Sequence, residues 1–260
     1  RLRMDFPLDT NVDRDQLRVR SSATLKEVAF APGPFGLDVK DGRFEFKMVD
    51  DEMSVRGPVR LNDVATDLTW TEHFSDKRKI RTEYKLRAEL TNKDRKALKL
   101  AGTEIIDGPM SADMNYAVLR NGQRQLVANV DLTRASFEQP DFGVEKEAGR
   151  KAVANLQATL DQKGALKKVS VRLAGDEIGG SGVLAIKPTS DEQWRVHLKK
   201  VSIKDRVFDG TVARRDDGVF TGDLQLSQFD IASLMEKRSN ANPDKEPVAL
   251  NVNAKKYKNH

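Results

Sequence analysis

The 260-residue chain contains no cysteine, three histidines, two tryptophans and three tyrosines. Without cysteine there is neither a disulfide framework nor a thiol nucleophile. The histidines, His73, His197 and His260, lie far apart, so the closely spaced ligand pairs of metal sites are missing. Two tryptophans and three tyrosines cannot furnish the two aromatic girdles of an outer-membrane barrel. No run of 18 apolar residues occurs, so this sequence contains no transmembrane helix. Gly-x-Ser-x-Gly is absent. Gly179-Gly-Ser-Gly182 lacks the Lys-Ser/Thr that follows in a phosphate loop. Two acidic clusters, Asp50-Asp51-Glu52 and Asp216-Asp217, fall where hairpins should turn, which accounts for them without paired-carboxylate catalysis. The expectation is a protein that is not an enzyme and that uses no cofactor and no metal.

What the chain has in abundance is alternation. In Ile80-Arg-Thr-Glu-Tyr-Lys-Leu-Arg-Ala-Glu-Leu90 the even positions are mostly apolar and the odd positions are all charged. Successive side chains of a strand point to opposite faces, so this segment has one apolar face and one solvated face. About 14 segments behave this way, which predicts a large antiparallel sheet with one apolar side. Charged residues make up 33% of the chain, with 45 basic against 40 acidic and a net charge of +5. They are dispersed along strands without aromatic interleaving, which suits an ionic outer face and argues against nucleic-acid binding.

Read in order, strands are expected over 1–9, 17–30, 43–49, 52–61, 64–71 and 80–90. The phase of the second slips at Val28 and Phe30, as a bulge would make it do. Lys40-Asp-Gly42 reads as the turn of a hairpin between Phe35–Val39 and Arg43–Val49. Asn92–Leu98 reads as a short helix capped by Asn92. Strands resume over 104–119, and Asn121-Gly122 turns into another over 125–132. Residues 136–146, with Pro140, read as irregular. Residues 150–160 suit helix or strand equally, because Ala152, Ala154, Leu156, Ala158 and Leu160 alternate while Ala148, Ala152, Leu156 and Leu160 repeat every four. Later strands are expected near 166–173, 182–187, 193–203, 206–213, 218–226 and 247–256, with a short helix over Asp230–Lys237. The chain opens and closes within alternating segments, which points to a fragment of a longer β-rich protein. A subdivision, if there is one, is expected near 135–150.

A weak repeat places a glycine two and four residues before apolar positions: Gly57 with Val59 and Leu61, Gly182 with Leu184 and Ile186, Gly222 with Leu224 and Leu226. A glycine inside a strand marks a bend, a bulge or a close backbone approach, so these three are candidate sheet-bending positions.

Three stretches carry a resemblance: Gly57–Phe74, whose second strand ends in Trp-x-Glu-x-Phe; Val130–Lys146, with Asp-Leu-Thr, then Pro, then Gly-x-x-Lys; and Phe208–Leu234. They resemble the AsmA-like superfamily of bacterial envelope proteins, most closely its YhdP-like branch. The resemblance implies a strand for 150–160. It also implies an elongated, curled antiparallel sheet that forms an open groove or taco-like trough, with one or two short helices. By the same resemblance the chain would be periplasmic and anchored to the inner membrane through a segment outside this sequence. Its partners would be phospholipid or another acyl lipid and the remainder of the same longer chain, with no nucleic acid. The groove would shield acyl chains between the inner and outer membranes.

Shared period-2 register assigns Phe44, Phe46, Met48, Val59, Leu61, Leu68, Trp70, Tyr84, Leu86, Met110, Met114, Leu184, Ile186, Leu224 and Leu226 to the groove lining. The competing reading is a structural β-sandwich or solenoid module of the envelope, in which apolar faces seal one another.

Overall fold

The computed structural model describes residues 2–5, 18–31, 36–100, 105–139, 144–204, 206–226 and 248–254. They form an all-β, almost wholly antiparallel fold with one short helix. The chain divides into two compact units: residues 1–103 with 109–128, and residues 104–108 with 129–260.

The first unit holds β1 (Leu2–Asp5), β2 (Arg18–Phe30), β3 (Val39–Val49), β4 (Glu52–Leu61), β5 (Val64–His73), β6 (Ile80–Leu90), α1 (Asn92–Ala97), β8 (Met110–Leu119) and the start of β9 (Arg124–Asp131). β1 to β6 and then β8 follow one another as antiparallel neighbours. Tight turns set the register. Asn62 and Asp63 both take positive φ, 46° and 69°, between the paired ends Leu61 and Val64. That is the backbone of a type I′ turn, whose twist matches the strands it joins.

Lys40-Asp-Gly42 is not a hairpin turn, and this corrects the sequence reading. β3 runs straight through it, and register passes from Lys40↔Arg60 to Glu45↔Arg56, leaving one extra residue on β3. Asp41 sits at φ 53°, so the Asp-Gly pair supplies a β-bulge. The slip at Val28 is a bulge as well, with Glu27 at φ 55°.

The cap of α1 also differs from expectation. Thr91, not Asn92, is the N-cap. Its hydroxyl accepts from the Asp94 amide at 3.4 Å, and the Asp94 carboxylate accepts from the Thr91 amide at 2.9 Å. Asp94 thus completes the reciprocal cap that a glutamate usually makes. The Thr91 hydroxyl and amide hold the Asp94 carboxyl below its ordinary pKa. Thr91→Ala should cost about 1 kcal/mol in urea unfolding.

The second unit holds the rest of β9, β12 (Ala152–Leu160), β13 (Leu166–Gly175), β14 (Ile178–Ile186), β15 (Glu192–Ile203), β16 (Arg206–Arg215), β17 (Phe220–Leu226) and β18 (Val248–Ala254). From β12 to β17 these pair antiparallel in chain order. β18 pairs parallel to β17, which alternation alone did not foretell. Residues 152–160 form a strand because their small residues sit opposite large ones, Ala154 against Leu173 and Ala158 against Val169. That cross-strand fit outweighs the helix propensity of alanine.

Residues 136–146 are not irregular throughout. β10 (Ser136–Gln139) and β11 (Val144–Lys146) pair antiparallel, and β7 (Ile106–Asp107) joins β10 to complete a second, three-stranded sheet. The helix expected over Asp230–Lys237 lies outside the described residues.

Candidate functional site

In an antiparallel pair, directly opposed residues share a face. Registers across the first unit therefore line up Ala23, Phe46, Val55, Trp70, Tyr84 and Tyr116 as one row over six strands. Gly57, Leu68, Leu86 and Met114 form the next row. Met48 opposes Met53, Leu61 opposes Val39 and Val64, and Leu90 opposes Met110, all in the same phase. The lining candidates Phe44, Phe46, Met48, Val59, Leu61, Leu68, Trp70, Tyr84, Leu86, Met110 and Met114 thus lie on one face of this unit.

That face is not uniformly covered. Near α1 it is closed: Val64 is 1% exposed, Val59 3%, Leu61 4%, Leu90 4% and Met110 5%. Leu98 and Leu37 pack against the cluster made by Val39, Phe44, Val55, Val59, Leu61 and Leu68. Arg95 is buried here too, its guanidinium donating to the Leu90 carbonyl at 3.3 Å and to Asn92 Oδ1 at 2.8 Å. Further along the strands Phe46, Met48, Met53, Trp70, Tyr84, Leu86 and Met114 are only half-buried. The Trp70 and Tyr84 rings stack at 5.9 Å, and Tyr84 meets Tyr116 at 6.3 Å.

Polar groups enter the same face one row beyond the rings. Glu72 opposes Met53 and Thr82. Its carboxylate accepts from Thr82 Oγ1 at 3.1 Å and from Trp70 Nε1 at 3.4 Å, with Arg81 at 3.9 Å. Burial pushes the Tyr84 phenol pKa up, and the Glu72 charge adds to the shift. Arg124 donates to the Tyr116 hydroxyl at 3.3 Å. The opposite face is ionic, with Arg87 bound to Asp113 at 2.5 Å and Lys85 near Glu83 at 3.3 Å.

In the second unit Leu156, Val171, Gly182, Leu198, Gly210 and Leu224 form one row. Ala158, Val169, Leu184, Val196, Val212 and Gly222 form the next, and Ile186 opposes Trp194. The candidates Leu184, Ile186 and Leu224 share this face and are half-buried, and Leu226 occupies the same phase of β17.

The three candidate glycines behave differently. A Cβ on Gly57, at φ +156°, would meet the Arg43 carbonyl oxygen at 1.9 Å, opposite the Asp41 bulge. One on Gly222 would meet the Thr211 carbonyl oxygen at 2.2 Å, a close backbone approach in a regular ladder. At Gly182 the nearest atom is Leu198 Cδ2 at 3.4 Å, so a methyl group fits and the ladder is regular. The irregularity lies two residues earlier. Gly180 has φ +100° and sits where β15 bulges at Lys200, itself at φ 47°. Gly180 therefore replaces Gly182 as the constrained position.

Sequence reasoning placed Thr82 and Tyr116 in the apolar phase of their strands without naming them as lining residues, and it missed Glu72 as a member of the first unit's apolar face. Tyr116 was legible, since it continues the phase of Met110, Ala112 and Met114. Glu72 was not, because a charged residue in an apolar phase reads as the end of a strand.

Lys146, read from the sequence only as the lysine of the Gly-x-x-Lys stretch, is 2% exposed. Its ammonium donates to the carbonyls of Ala135 at 2.6 Å, Glu147 at 3.0 Å and Thr133 at 3.4 Å. Burial lowers its pKa, and Asp131 and Glu177 oppose the shift.

Among the described residues no group of three or more His, Asp or Glu is placed to hold a metal ion. No helix among them is long and apolar enough to cross a membrane. No known protein family, curated protein or solved structure matches the chain.

Proposed function

We propose that this chain is a non-enzymatic segment of a longer bacterial envelope protein, and that its apolar sheet faces shield phospholipid acyl chains between the inner and outer membranes. The observation that carries the reading is the half-exposed row Phe46, Trp70 and Tyr84, with Leu86 and Met114 beside it, on a sheet whose other face is ion-paired. Each methylene withdrawn from water onto such a face gains about 0.8 kcal/mol. The curled open groove, the kinship with AsmA-like, YhdP-like proteins, the periplasmic location and the inner-membrane anchor belong to the same proposal. They rest on the three resembling stretches, of which the first ends at the Trp70-x-Glu72-x-Phe74 edge of this face.

The test begins with mass spectrometry of an organic extract of the purified chain, where co-purifying phospholipid is expected. Leu86→Asp then places a carboxylate between Leu68 and Met114, where an unpartnered charge costs several kcal/mol against an apolar ligand. Lipid recovery should fall, as should envelope-integrity complementation by a full-length protein carrying the change. Lys85→Asp, on the other face opposite Thr69 and Asn115, should leave both unchanged. If the two variants are expressed equally and behave alike, the apolar face is not a lipid path, and the structural envelope module takes its place.

A further inference from the structure

We infer that a phospholipid on the first unit lies along the strands, tails toward α1 and headgroup at the edge marked by Glu72, Thr82 and Arg124. This rests on the lipid reading above and adds an orientation to it. The basis is a polarity gradient read down β5 and its neighbours. At one end the face is aliphatic and sealed, with Leu61 4% and Val64 1% exposed, and Leu98, just past the end of α1, packs against the same cluster. The next row pairs Val59 with Thr66, whose hydroxyl donates to the Val64 carbonyl at 3.2 Å, and the row after it, at Leu68, Leu86 and Met114, is aliphatic. Then come the three rings of Trp70, Tyr84 and Tyr116. Beyond them Glu72 and Thr82 bring a carboxylate and a hydroxyl onto the same face, and Arg124 reaches the Tyr116 hydroxyl.

Aliphatic, then aromatic, then charged is the order of a bilayer leaflet from its centre to its interface, where amphipathic rings sit at headgroup level. The dimension agrees: from Leu68 to Glu72 a strand advances about 13 Å, against roughly 15 Å of hydrocarbon in one leaflet. Across the strands the Glu72 row passes from Thr82 and Glu72 to Met53 and Met48, and a lipid laid across them at the level of the rings would keep its headgroup away from the Glu72 edge. One laid along them matches tails to leucine and methionine and headgroup to the polar edge. The edge carries both signs, Glu72 and Arg124, which complements a zwitterionic headgroup. The sealed end near α1 makes entry tail-first from the Glu72 edge.

Trp70 sits at the predicted level of the upper acyl chain, and the only other tryptophan is Trp194. In a Trp194→Phe variant, with Trp194→Tyr as the alternative if that folds poorly, Trp70 is the sole tryptophan. The purified variant is loaded with phosphatidylcholine brominated either near the carbonyl end or near the methyl end of one chain. Carbonyl-end bromines should quench Trp70 more strongly. Equal quenching, or stronger quenching from the methyl end, overturns the orientation and leaves lipid binding standing. If neither lipid quenches and neither is recovered in an organic extract of the loaded protein, lipid binding itself fails, and the orientation with it.

Discussion

Gly57→Ala should destabilise the first unit by about 3 kcal/mol, while Gly182→Ala should leave the second within about 0.5 kcal/mol of wild type. The contrast comes from what each new methyl group would meet. At Gly57 it would fall 1.9 Å from the Arg43 carbonyl oxygen, a backbone atom held by the bulge at Asp41. Relief requires β3 and β4 to part, which disturbs the ladder on both sides of the bulge. At Gly182 the methyl group would rest 3.4 Å from the far end of a leucine side chain, which is ordinary contact. Alanine also loses less backbone entropy than glycine in a strand, so a slight gain is within reach. The two tryptophans make the measurement direct, since Trp70 lies in the first unit and Trp194 in the second. Urea titrations followed at each ring report the units separately. A Gly57→Ala chain with a wild-type midpoint would mean that the close approach is incidental to the fold.

Period-2 alternation made most strands legible, because a sheet with one solvated face imposes it on every residue. Ile80–Leu90 was read to the residue, and so was Glu52–Leu61. The failures share a cause: a local signal with two physical outlets. Asp41-Gly42 suits a turn or a bulge, and which one forms depends on whether β4 continues to pair across it. Thr91 and Asn92 are both good caps, and the choice falls to the residue whose hydroxyl can exchange bonds with Asp94. The glycine repeat marked the right strand of the second unit at the wrong residue, because a bulge on β15, not the motif, decides where β14 must yield. Pro140 and the mixed composition of 136–146 hid two strands too short to show a period. The parallel pairing of β18 leaves no trace in alternation, which is the same for either direction.

Lys146→Met should cost about 3 kcal/mol, with the loss centred on the three-stranded sheet of β7, β10 and β11. An ammonium has three donors, and here all three find backbone carbonyls: Ala135 at 2.6 Å, Glu147 at 3.0 Å and Thr133 at 3.4 Å. Two of those carbonyls belong to the bend at 132–135, where the Ala135 amide turns back to the Leu132 carbonyl at 3.0 Å. The ammonium therefore ties β11 to the segment that leads into β10. Methionine keeps the length and the apolar stem but withdraws every donor, and Ala135, whose carbonyl loses its ammonium, is buried. A buried acceptor without a partner costs about 1 to 3 kcal/mol. Arginine does not replace the lysine, because a planar guanidinium cannot send three bonds from one point. Amide hydrogen exchange separates a local tie from a general packing effect. Loss of protection at Phe137 and Glu138, with the amides of β13 and β14 unchanged, is the expected pattern. Unaltered exchange at Phe137 and Glu138 in Lys146→Met, together with an unchanged urea midpoint, would mean that the three carbonyls find water instead and that the lysine holds nothing in place.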